Sequence, residues 1–105
     1  MRTAWIMLLF AGFFEILMAL GLKFNASFTK FWPSITTLFF SILSFYCLSR
    51  SILVLPIGTA YAVWTGIGAA GTAVIGMLAF GETCSLMRLA CIAMIIIGVS
   101  GLKFL

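Results

Sequence analysis

Four stretches of this chain, at about residues 3–22, 32–49, 56–80 and 85–103, run on with scarcely a charge. A segment of roughly 20 apolar residues is long enough to cross the hydrocarbon core of a bilayer as a helix. Inside lipid every backbone N–H and C=O must be satisfied internally, which leaves only helices and closed barrels. The runs lack the period-two alternation of barrel strands, so helices are expected. Composition agrees: 65% of the residues are hydrophobic and 8% charged, against about 25% charged in a soluble domain. The expected fold is therefore an all-α integral membrane protein, a single domain of four transmembrane helices over residues 1–105. Short loops make it a compact antiparallel bundle.

The breaks between the runs carry boundary chemistry. Lys23 to Lys30 is a polar loop. Trp32-Pro33-Ser34 opens the second run, with Trp32 at interface depth and Pro33 in the first helical turn, where its missing N–H costs little. Ser49-Arg50-Ser51 ends that run, and Pro56 starts the third. Gly81-Glu82-Thr83 separates the third from the fourth, and Ser85 is placed to cap the last helix.

The net charge of +4 does not indicate a nucleic-acid partner. Arg2, Lys23, Lys30, Arg50, Arg88 and Lys103 are scattered singly near the ends of the runs, where they snorkel to the interface, and form no stripe that follows phosphates. The chain has no histidine, and Cys47, Cys84 and Cys91 form no C-x-x-C pair, so no metal is expected. Cys47 and Cys91 read as small apolar packing residues, and Cys84, in a turn, as a free thiol. No catalytic residue and no cofactor are expected, so the chain is not read as an enzyme. The first run is read as a span rather than a signal peptide, because it contains Glu15 and no small-x-small cleavage site follows it.

With four spans, Arg2, Arg50 and Lys103 share one side of the membrane, and Lys23, Lys30 and Arg88 share the other. Lys/Arg asymmetry is what orients a membrane protein, and three against three supplies none. Insertion in both orientations is the physical implication, and it makes an antiparallel dimer possible. The alternative is that loop details still select one orientation.

Glu15 is the centre of the functional case. It lies about two-thirds of the way along the first run, with no basic residue within a turn or two. An ionised carboxylate at membrane depth costs several kcal/mol, and such groups are functional by default. It can hold either a proton or a cation, and each excludes the other, which is a coupling mechanism. The alternative is a protonated glutamate hydrogen-bonded between helices. Leu8, Ala11, Gly12, Met18, Ala19 and Leu22 share its helical face, and the small residues among them leave room for a ligand or a neighbouring helix.

The third run holds the most specific string, Leu55 to Gly68. Tyr61 and Trp64 are three apart on one face, too deep after Pro56 to be simple interface anchors. Aromatic faces attract cations, and a Tyr hydroxyl can hold a carboxylate. Gly66 and Gly68 permit close approach or a bend. Plain aromatic packing beside a glycine groove remains open as the other reading.

That string, the placement of Glu15, Ala19 to Lys23, Phe28-Thr29-Lys30 through Pro33-Ser34, Met87-Arg88-Leu89 and Gly101-Leu102-Lys103 together resemble the small multidrug resistance family. Gly58 to Gly68 is most similar to its guanidinium-exporting branch. The resemblance spans essentially the whole chain. It implies a multi-pass antiparallel homodimer of the bacterial inner membrane that exchanges protons for a small organic cation. It assigns Glu15 to the shared proton and substrate site, Tyr61 and Trp64 to the pocket wall, and Ser44 to a hydroxyl that orients the central carboxylates. The chain departs at Met18, where the guanidinium branch usually carries a tryptophan whose indole N–H can bond the glutamate. An apolar, flexible methionine has no such donor, and it leaves bulkier cations and pairing with a paralogous subunit as alternatives.

The remaining polar groups rank lower. Ser41 and Ser44 can back-bond to their own helix. Glu82, in a turn near Arg88, reads as a solvated or paired interfacial group, and Lys103 as an interfacial anchor; neither is assigned to the site. The last helix carries no polar ligand and is left for a dimer contact. The leading expectation is a proton-coupled antiporter exporting guanidinium or a small substituted guanidinium. The rivals are a quaternary-ammonium or multidrug exporter, and a non-transporting assembly subunit whose cavity is filled by side chains.

Overall fold

In a computed structural model of the chain, residues 2–25 and 28–105 are described, and they form four α-helices: α1 Arg2–Phe24, α2 Phe31–Ser51, α3 Ile57–Ala79 and α4 Leu86–Phe104. No strand occurs among the described residues. All four helices are long and apolar enough to cross a membrane. At 1.5 Å per residue they are about 28 to 35 Å long, which matches a bilayer core of about 30 Å. The chain is an all-α integral membrane protein.

Local chemistry sets the helix ends. The Ser85 side chain accepts a hydrogen bond from the Arg88 N–H at 3.2 Å, capping α4. Pro56 is the N-cap of α3 rather than its first residue, so the helix begins at Ile57. Between α1 and α2 the corner is built on Asn25, which is fully buried. Its Nδ2 donates to Thr37 Oγ1 at 3.3 Å, and its Oδ1 accepts from the Phe28 N–H at 3.0 Å. That second bond holds Phe28 at a φ of 65°. Bare Gly21 lets Thr37 approach α1 so closely that a Cβ there would collide with its hydroxyl. Asn25→Ala strips both bonds from a buried corner and is expected to cost about 1–3 kcal/mol, read as a lowered thermal unfolding midpoint in detergent.

Two side-chain contacts agree with an up–down–up–down path. The Lys23 ammonium at the end of α1 lies 5.1 Å from the centre of the Phe80 ring, just past the end of α3. The Lys103 ammonium at the end of α4 lies 5.9 Å from the Trp5 ring at the start of α1. Both are cation–π contacts made by an exposed lysine at a helix end.

The arrangement departs from a compact bundle. The chain measures 39 × 35 × 17 Å, a slab about half as thick as it is wide. α1 packs between α2 and α3, while α4 packs along α3 and touches α1 through Lys103 on Trp5. The core consists of Ala4, Leu8, Ala11, Cys47, Leu55, Ala60, Val63 and Trp64, mostly small residues that let membrane helices approach. α4 contributes no buried residue. In water its isoleucine and methionine surface would be driven inward; lipid solvates that surface, so nothing forces α4 to close the bundle.

Candidate cation-binding site

The seam between α1 and α3 is laid down by glycines. Ile67 fills the space over Gly12, Ile16 fills that over Gly71, and the Glu15 carboxylate lies directly against Gly68, where a Cβ would collide with it. Glu15 is thus held about 20 Å from one end of α1 and about 14 Å from the other, counting 1.5 Å per residue.

Beside it opens a cavity of about 460 Å³, within the range of about 300–1,000 Å³ typical of small-molecule sites. α1 supplies Glu15, Met18, Ala19 and Lys23, and α3 supplies Thr65, Gly68, Ala69, Thr72, Ala73 and Gly76. Phe80 and Glu82, just past the end of α3, also line it. The Glu15 Oε2 atom is buried and has no hydrogen-bond partner among the described residues. A buried carboxylate oxygen without a donor is costly, and either a proton or a donor-bearing cation in the cavity relieves that cost.

The residues singled out in the sequence divide. Met18 lines the cavity with Glu15, whereas Tyr61, Trp64 and Ser44 do not line it in this chain. The Tyr61 and Trp64 rings do meet, with centroids 5.5 Å apart and planes tilted by 57°. Trp64 is buried and Tyr61 is 57% exposed, so the pair spans from the core to the outer surface of α3. Ser44 does not bond to its own helix. Its hydroxyl donates to Ala11 O at 2.7 Å and accepts from the Trp64 indole N–H at 2.9 Å. The Ala11 carbonyl is the helical acceptor for the Glu15 N–H one turn on, so Ser44 pins the turn beneath Glu15 rather than the carboxylate itself. Ser41 does back-bond, to Thr37 O at 2.8 Å. Ser44→Ala leaves the buried indole N–H unpaired, and the expected result is a loss of about 1–3 kcal/mol in stability, measured by thermal unfolding.

Lys23, Thr65, Thr72, Phe80 and Glu82 line the cavity but were not picked out from the sequence. Thr65 and Thr72 are seven apart, which places them on one helical face. Glu82 and Arg88 line a common small pocket, yet no ion pair joins them among the described residues. Cys47 is buried in the core, while Cys84 and Cys91 are exposed.

Comparison with known proteins agrees with this architecture. Residues 3–95 match the family described as Small Multidrug Resistance protein. The guanidinium exporter of Proteus vulgaris is 50% identical over 95% of this chain and 96% of its own length. That of Citrobacter freundii is 49% identical over 95% of each chain, and that of Yersinia pseudotuberculosis 47% identical over 95% and 96%. The family match covers the first three spans and runs into the fourth, and the chain belongs to the small multidrug resistance family as a multi-pass protein of the bacterial inner membrane.

Proposed function

We propose that the chain is a proton-coupled antiporter that exports guanidinium or a small substituted guanidinium, with Glu15 as the group for which proton and substrate compete. The observation that carries this reading is a mid-membrane carboxylate, Glu15, that lines an open cavity and whose buried Oε2 has no hydrogen-bond partner among the described residues. Guanidinium is planar, permanently charged and carries forked N–H donors that fit a carboxylate bidentately. The naming of the curated relatives as guanidinium exporters supports the substrate. A non-transporting assembly subunit needs no cavity at Glu15, and about 460 Å³ stays open there.

The working unit in this reading is an antiparallel homodimer. The even Lys/Arg distribution, the flattened shape and the unburied α4 support it. Two Glu15 carboxylates then face one shared cavity, with Tyr61 and Trp64 of each subunit as walls, and exchange of the two subunits' conformations switches access. Reporters at the C-terminus are expected to signal from both sides of the membrane; a signal from one side alone excludes dual insertion.

Met18 favours a second reading with the same machinery. It places a flexible apolar side chain where it meets the cavity, which suits bulkier hydrophobic cations. The experiment that separates the two is transport by the purified protein alone, comparing guanidinium with a tetraalkylammonium ion. Faster guanidinium turnover supports the first reading, and preference for the tetraalkyl cation replaces it with the second.

A further inference from the structure

The chain has only two acidic residues, and both line the same cavity. Glu82 reaches it through a built turn. Gly81 takes a φ of +67°, a left-handed conformation that glycine adopts without strain, and the turn sends the Glu82 N–H back to Gly76 O at 3.2 Å. The carboxylate of Glu82 then lies against bare Gly76, where a Cβ would collide with it. Glu15 meets Gly68 in the same way. Gly68, Thr72 and Gly76 fall at every fourth position on the cavity side of α3, with Phe80 four further on just past its end, so the two carboxylates lie along one track, about 12 Å apart on the helix axis.

The outer end of that track has a second cation-binding element. Phe80 presents its ring to the Lys23 ammonium, 5.1 Å from the ring centre, and Phe24 backs the ring with centroids 5.6 Å apart. An aromatic face and a carboxylate lining one cavity mouth are complementary to a small planar organic cation, and the tethered ammonium of Lys23 already occupies the face.

We propose that Glu82 and the Phe80 ring form a second, shallower station for a guanidinium-type cation at the mouth of the cavity, with Lys23 as its built-in competitor. A cation held there raises the local substrate concentration above Glu15. The role in export rests on the reading of Glu15 given above, but the station itself does not need that carboxylate.

The test therefore starts from the Glu15→Gln protein in lipid nanodiscs, titrated with guanidinium chloride against sodium chloride and followed by backbone amide NMR. Saturable shifts are expected at residues 80–82. They vanish when Glu82→Gln is added, and they saturate at severalfold lower guanidinium when Lys23→Met is added instead. In the protein with Glu15 intact, Glu82→Gln is expected to raise the apparent KM for guanidinium severalfold while the maximal rate stays within about twofold, a split that loss of folded protein does not produce. Absence of shifts at 80–82, or shifts unaffected by both Glu82→Gln and Lys23→Met, overturns the station. Absence of guanidinium transport by the unmodified chain overturns the export reading and leaves the titration to decide the station separately.

Discussion

Glu15→Gln is expected to reduce proton-driven guanidinium export to the level of protein-free vesicles. The substitution keeps the size and one acceptor oxygen but removes the charge, the second acceptor and the ability to bind and release a proton. Hydrogen bonds to charged groups contribute about 1.5–3 kcal/mol each, so losing a bidentate pair is worth about 3–6 kcal/mol, a hundredfold or more in affinity. Folding is expected to survive, because the buried Oε2 makes no hydrogen bond among the described residues and glutamine is the less costly group at that depth. The measurement is radiolabelled guanidinium efflux from proteoliposomes under an imposed proton gradient, with thermal unfolding recorded on the same preparation. The competition also fixes the sign of the pH effect: guanidinium binding to the unmodified protein weakens as pH falls, and binding to Glu15→Gln does not follow pH.

Gly68→Ala is expected to separate stability from transport. Replacing glycine by alanine in a helix interior favours the helix by about 1 kcal/mol. The three atoms nearest the added methyl all belong to the Glu15 carboxylate, the far end of a flexible side chain, so relief of the clash is cheap. The carboxylate nevertheless has to leave its position against α3. Misplacing a charged group by about an ångström can cost a hundredfold, so guanidinium affinity is expected to fall tenfold to a hundredfold while the unfolding midpoint holds or rises. Equilibrium binding beside thermal unfolding checks both halves. Unchanged affinity would mean that the Gly68 contact does not position the carboxylate.

The spans were legible because bilayer thickness converts directly into run length, and lipid tolerates few alternatives to helices. Glu15 was legible for the same reason, as a charge in the wrong solvent. The position of α4 was not. Its surface is apolar nearly all round, and where lipid and protein solvate a helix about equally, the sequence carries little signal for where it packs. Ser44 was given either to its own helix or, by resemblance, to the carboxylates; a hydroxyl in a helix has several acceptors in reach, and the choice of Ala11 O depends on how closely α1 approaches α2. Glu82 looked like an ordinary turn residue because its placement depends on the left-handed Gly81 and the bare surface of Gly76, neither of which is evident before the helix end is built. Tyr61 and Trp64 were chosen as a pair, and they do touch. They do not line the Glu15 cavity within one chain, so their role as pocket walls rests on the proposed dimer.

Proton coupling through Glu15 is tested most directly by asking whether guanidinium movement alone moves protons. Purified protein is reconstituted into vesicles loaded with guanidinium and a trapped pH indicator, then diluted into guanidinium-free buffer of the same pH with the membrane potential clamped at zero. Guanidinium efflux is expected to drive proton entry, so the lumen acidifies below the external pH, and Glu15→Gln vesicles stay flat. Guanidinium efflux with no acidification, or acidification that persists in Glu15→Gln, would contradict the account.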